Sequence, residues 1–254
     1  MHRFFIQSDL LKTSSNTLLT LPEKLSHQVK DVLHLTIGEQ LILLDNSGDE
    51  IFCSIAKSGR SGVEVELLER RTGKSESPIR IILCQGLLKS ARFEWILEKG
   101  TELGVAAFSP VLCRRSTSGL EDAGPNKIQR WQRIIQEATE QCGRARMPEL
   151  LPICTLLHAL THMPSGALAL IPWEEEQGIS LRDALRNAIA ERKEALSLEP
   201  LTVVLFIGPE GGLLAEEVEQ ARSHNVQPVT LGPRILRAET AALVSVANVM
   251  YELS

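Results

Sequence analysis

Two patterns, changing over near residue 75 of a 254-residue chain, predict an α/β protein with a small N-terminal β-barrel domain and a parallel sheet after it. Before residue 75, short segments alternate apolar and polar residues between turn clusters, as half-buried antiparallel strands do. After Pro78, short apolar strands alternate with helical periodicities, the pattern of a parallel sheet covered on both faces. Between them lies Arg71-Thr72-Gly73-Lys74-Ser75-Glu76-Ser77-Pro78, a polar, breaker-rich stretch that reads as a linker. The expected domains are therefore 1–75 and 76–254.

In the first part, Gln40-Leu41-Ile42-Leu43-Leu44 runs into the turn cluster Asp45-Asn46-Ser47-Gly48-Asp49, and residues 50–56 and 62–67 alternate. In the second, strands are expected at 79–85, 106–113, 167–171, 202–207 and 227–231. Helices are expected at 91–103, 126–142, 180–192, 214–224 and 238–253. Pro125 precedes the second of these, at a position where proline is tolerated. The last helix is apolar nearly all round, so it must be buried, either within its domain or in a subunit interface.

Composition excludes several classes. With 43% hydrophobic and 23% charged residues the chain reads as a soluble globular protein. No apolar run is long enough to span a bilayer, and the apolar stretch at the start is too short for a signal peptide. A cytoplasmic protein with no membrane partner is expected. Five scattered cysteines without a CxxC pair suggest neither a disulfide framework nor a zinc site. His158 and His162 are four apart but lack the glutamate of a zincin, so they read as helix-surface histidines and no metal is expected. The net charge is −5, yet residues 80–150 hold 11 basic against 8 acidic groups, a mild pointer to a polyanion.

Two loops carry the chemistry, each behind an apolar strand. In Phe206-Ile207-Gly208-Pro209-Glu210-Gly211-Gly212-Leu213, three glycines let the backbone turn tightly and approach a ligand. The loop matches neither a dinucleotide nor a P-loop fingerprint, and Glu210 disfavours an anion, so a neutral or cationic ligand fits better. In Leu231-Gly232-Pro233-Arg234-Ile235-Leu236-Arg237-Ala238-Glu239-Thr240, arginines, aliphatics and a carboxylate lie between a strand end and a helix start, where α/β proteins place ligands. The bland alternatives are a plain turn, a solvated loop and a helix-dipole carboxylate at Glu239.

Together these loops resemble the paired signature of the 16S ribosomal RNA uridine-N3 methyltransferases, a family of the SPOUT class. Met1-His2-Arg3-Phe4-Phe5, Glu94-Trp95-Ile96-Leu97-Glu98-Lys99-Gly100-Thr101-Glu102-Leu103-Gly104-Val105, Arg130-Trp131 and the stretch from Glu137 through Glu140, Arg144 and Arg146 to Glu149 resemble further family segments. The resemblance implies a PUA-like RNA-binding barrel and a SPOUT domain with a deep trefoil knot. It also implies S-adenosyl-L-methionine bound by the two loops, at Ile207, Gly208, Glu210, Gly212, Leu231, Gly232, Ile235, Leu236 and Arg237, a homodimer, and 16S rRNA or the small ribosomal subunit as substrate. His34 stands where the family usually has arginine, which would weaken an RNA contact there or make it depend on pH.

Uridine N3 carries an imide proton, so the enzyme must remove it or stabilise the uridinate. Arg237 is the first candidate for the electrostatic role. Glu239, Glu102 and Glu140 are candidate bases. Arg3, Lys89, Arg92, Arg144 and Arg146 are candidate RNA contacts, mostly to phosphates. Two other readings compete: a SPOUT enzyme acting on another base or a ribose 2′-hydroxyl, and a non-catalytic RNA-binding assembly factor.

Overall fold

A computed structural model describes residues 1–13, 17–116, 124–194 and 200–253, and the chain divides into two compact units. The first comprises 1–76 together with 139–147, the second 77–138 and 148–254. The expected division at 75/76 thus misses one exchange: the end of the second long helix and the loop after it join the N-terminal unit. The cause is Glu76, whose carboxylate accepts from Arg144 and from the backbone N–H groups of Ala145 (3.1 Å) and Arg146 (3.0 Å).

The first unit is built on five strands, β1 (His2–Phe5), β2 (Leu18–Thr20), β3 (Gln40–Leu44), β4 (Asp49–Gly59) and β5 (Gly62–Thr72), with short helices α1 (Ser8–Thr13) and α2 (Glu23–His27). They pair in the order β1-β3-β4-β5-β2, antiparallel except for β1 beside β3. Alternation explains the burial. Ile51, Cys53 and Ile55 of β4 and Val63 and Val65 of β5 point into one apolar core with Leu41 and Leu43, while their sequence neighbours are more exposed. Asn46 and Gly48, both at positive φ, make the turn between β3 and β4.

The second unit alternates as expected: β6 (Arg80–Gly86), α3 (Ser90–Glu102), β7 (Val105–Leu112), α4 (Pro125–Cys142, whose last turn belongs to the first unit), β8 (Glu149–Leu150), β9 (Cys154–Thr155), α5 (Leu156–Thr161), β10 (Leu168–Pro172), α6 (Leu181–Glu194), β11 (Thr202–Ile207), α7 (Ala215–Ser223), β12 (Gln227–Val229) and α8 (Ala238–Leu253). The sheet runs β12-β10-β11-β6-β7-β8, with β9 also against β7, and every pair is parallel. Its central strands β6 and β11 are buried along nearly their whole length, which is why they read as unbroken apolar runs. On one face Ile82, Cys84, Val204 and Phe206 pack with Leu156, Val218 and Ala221 of α5 and α7. Helix α8 buries Ala242, Ser245, Val246 and Val249, while Leu243, Val244 and Ala247 stay half-buried. No helix among the described residues is long and apolar enough to cross a membrane.

Candidate active site

Strands β12, β10 and β11 lie side by side and end at one edge of the sheet, and the chain leaving each one walls a cavity of about 360 Å³. That is within the range of roughly 300–1,000 Å³ usual for small-molecule sites. Open α/β sheets bind ligands at such carboxyl ends.

The wall after β11 is the glycine loop. Gly212 has φ +73°, and its N–H donates to the Pro209 carbonyl (2.9 Å), closing a tight turn. A Cβ there would stand 2.9 Å from Glu174 Oε1. The neighbouring strand backs the loop closely: a Cβ on Gly86 would lie 2.6 Å from the Pro209 nitrogen, and Gln85 Nε2 donates to the Gly208 carbonyl (3.2 Å). Below the loop, Glu217 accepts from the backbone N–H of Leu214 (2.9 Å) and of Arg114 (2.8 Å), which anchors the start of α7. The wall after β12 turns at Gly232, at φ +107°, whose N–H donates to Thr230 Oγ1 (3.1 Å). It presents Leu231 and Leu236 half-buried and Ile235 at 88% exposure. The third wall, Pro172, Trp173 and Glu174 after β10, was not anticipated. It carries no glycine signature; only its place behind an apolar strand could have marked it.

The nine residues assigned to the cofactor from the sequence all line this one cavity: Ile207, Gly208, Glu210, Gly212, Leu231, Gly232, Ile235, Leu236 and Arg237. The side chains around it are of mixed charge, with Glu174 and Glu210 against Arg92, Arg234 and Arg237. Such a lining suits a ligand carrying both signs, and no lysine lies in it.

The candidate bases fare differently. Glu102 lies at the far end of α3, bonded to Lys99 (2.8 Å), and Glu140 belongs to the first unit, where it accepts from the Phe5 N–H (3.1 Å). Neither lines the cavity. Glu239 is close by but does not line it either; its side chain is only 13% exposed, and its Oε1 lies 3.7 Å from Arg92 Nε. Arg92 Nη1 also meets Glu210 Oε1 at 3.3 Å, so one guanidinium bridges α8 and the glycine loop. Arg92, expected as an RNA phosphate anchor, is thus a lining residue of the cavity.

The other expected RNA contacts also separate. Lys89 is exposed beside α3, and its backbone N–H donates to Glu210 Oε1 (3.4 Å). Arg146 is exposed and donates from Nε and Nη2 to the Ser47 carbonyl (3.2 and 2.9 Å). Arg3 pairs with Glu50 (3.4 Å). Arg144 departs from expectation. It is only 6% exposed, and its Nη2 grips Glu76 Oε2 at 2.9 Å, so it serves the fold and has no solvent face to offer a phosphate.

Burial pushes the thiols of Cys84 and Cys113 up to about 12, which disfavours the thiolate that cysteine chemistry needs. His158 and His162 stack at 3.9 Å, and the described residues hold no group of three side chains able to bind a metal.

Residues 75–250, which hold the parallel sheet and its glycine-walled cavity, match the family described as the RNA methyltransferase domain. A ribosomal RNA small subunit methyltransferase E from Bacillus subtilis is 29% identical over 99% of this chain and 97% of its own. One from Synechocystis is 32% identical over 91% of this chain and 72% of its own. The crystal structure of the Neisseria gonorrhoeae protein of that name, bound to S-adenosyl methionine, superposes with a TM-score of 0.82 at 31% identity, covering 98% of this chain and 96% of that one. The chain belongs to the RNA methyltransferase family and, within it, to the ribosomal RNA small subunit methyltransferases E.

Proposed function

We propose that this chain methylates N3 of a uridine in 16S ribosomal RNA, using S-adenosylmethionine held in the cavity at the ends of β10, β11 and β12. The observation that carries the reading is the convergence of both sequence-marked loops on that cavity. The lining fits the cofactor. Gly208 and Gly212 leave space where a Cβ would strike Leu213 or Glu174, Ile207, Leu231 and Leu236 supply apolar surface for a purine, and the mixed charges suit an aminoacyl zwitterion and a sulfonium. When bound, the cofactor supplies an electrophilic methyl group whose bond to sulfur breaks with its electron pair going to sulfur. Glu210 and Glu174 would attract its cationic groups, and the loop backbone would fix its orientation. Arg237 is exposed on the wall of the same cavity.

Finer features belong to the same reading. The loops after β11 and β12 are threaded as the trefoil knot of the SPOUT class, and the first unit is PUA-like. Lys89, Arg146 and Arg3 contact RNA, and the protein works in the cytoplasm where ribosomal subunits are assembled. Two copies pair through α8, which leaves Leu243, Val244 and Ala247 half-buried and Tyr251 86% exposed. Light scattering at micromolar concentration should give twice the chain mass; a monomer overturns the pairing.

The test of the reaction is nucleoside analysis of 16S rRNA from a deletion strain and of small subunits methylated by the purified protein. N3-methyluridine should be missing from the first and restored in the second. A 2′-O-methylated or other product puts the wider SPOUT reading in its place. Cofactor binding without any transfer leaves an RNA-binding assembly factor.

A further inference from the structure

The bridge between Glu210, Arg92 and Glu239 assigns roles that the sequence left in other hands. Arg92 springs from the first turn of α3, its side chain is 44% exposed, and it lines the cavity. Glu239 lies behind it, 13% exposed, with its Oε2 buried and without a hydrogen-bond partner. A carboxylate so placed does not line the cavity; it reaches the guanidinium that does. The contacts at 3.3 and 3.7 Å are long, and they engage Nη1 and Nε only. A guanidinium offers five N–H donors in a rigid fork, so an edge remains for a ligand while the two carboxylates restrain its swing.

We propose that Arg92 is a catalytic residue, donating to the carbonyl oxygens of the target uridine as negative charge develops there, and that Glu239 is a positioning residue acting through Arg92. The inference rests on the uridine-N3 reading above. As the N3 proton passes to solvent water, charge spreads over N3 and the two flanking carbonyl oxygens. A donor already fixed where that charge appears stabilises the transition state without reorganising. Arg237, which has no carboxylate partner among the described residues, is not fixed in this way.

Single-turnover methyl transfer on small subunits tests the assignment, with wild-type N3-methyluridine formation as the prior check. If the wild type makes a different product, the uridine-N3 reading fails, whatever Arg92 does. With that product in hand, Arg92→Ala should slow transfer at saturating cofactor about 100-fold or more while the salt dependence of RNA binding stays put. Arg92→Lys, which keeps the charge and stem, guards against a folding defect and should recover part of the loss, as should added guanidinium ion with Arg92→Ala. Glu239→Gln should slow transfer less, and Arg92→Ala/Glu239→Gln should be no slower than Arg92→Ala alone, since one residue acts through the other. RNA carrying 5-fluorouridine, whose N3 proton is more acidic, should suffer less from Arg92→Ala than ordinary RNA. A normal rate for Arg92→Ala with a salt slope lower by about one makes Arg92 a phosphate anchor and overturns the proposal. So do losses that multiply in the double variant, or equal losses on the two RNAs.

Discussion

Arg144 and Arg92 pose the same chemistry in opposite states. Each is an arginine facing glutamate across a long sequence separation. In the first unit Glu76 meets Arg144 and two backbone N–H groups at 2.9–3.1 Å, and Arg144 is 6% exposed. In the second unit Glu210 and Glu239 meet Arg92 at 3.3 and 3.7 Å, and the arginine is 44% exposed. The first cluster is closed and satisfied, so its energy goes into the fold. The second is restrained but incomplete, which is how a group meant for a ligand must be kept. Arginine count and local charge do not separate the two; burial and completeness of hydrogen bonding do.

The largest effect should therefore come from breaking the closed cluster. Arg144→Ala leaves Glu76 without its cationic partner, and losing one member of a buried pair costs about 3–5 kcal/mol of stability. Urea titration should show the loss, while the salt dependence of RNA binding stays unchanged. A stable Arg144→Ala protein that binds RNA with a reduced salt slope would return Arg144 to the phosphate contacts and dissolve the contrast with Arg92. Next in size is Arg92→Ala, where a 100-fold slower transfer corresponds to about 2.7 kcal/mol at the transition state, with little change in global stability.

Smaller again is Gly212→Ala. The residue is at φ +73°, where a side chain costs about 1–2 kcal/mol, and the new Cβ would meet Glu174 Oε1 at 2.9 Å. Cofactor affinity by calorimetry should fall. Oε1 is the flexible end of the Glu174 side chain and can turn away, so most of the loss should be the backbone part. Unchanged affinity in Gly212→Ala would place the cofactor elsewhere.

Legibility followed the range of the cause. The long strands and helices of the second unit were readable because their periodicity is local, and both glycine loops because only glycine tolerates such turns. The strands β8 and β9, of two residues each, have no room for a pattern. Trp173 and Glu174 were missed because their wall is made by where β10 ends and not by a motif. Arg144 was misread because Glu76, which buries it, lies 68 residues earlier. Arg92 and Glu239, 147 positions apart, meet only once α3 and α8 are packed in one unit. Local charge in the sequence marked both arginines alike.

A third pair sharpens what burial contributes. Arg130 meets Glu94 bidentately at 2.7 and 2.8 Å, shorter than either cluster above, but the arginine is 56% exposed. The hydrogen bonds from Arg130 hold the Glu94 carboxyl below its ordinary value. A depressed carboxyl stabilises the fold at pH values above its unfolded titration range, and that contribution is lost as pH falls through the lowered folded value. Arg130→Ala should thus cost below about 1 kcal/mol near pH 7, since a pair this open to water is strongly screened. The difference from wild type should fade progressively as pH drops below about 4, in thermal melts across a pH series. If bond length decided the matter, this substitution would cost as much as Arg144→Ala and the loss would survive in high salt. A small, salt-sensitive and acid-sensitive loss leaves burial as the quantity that separates an arginine holding the fold from one held for a ligand.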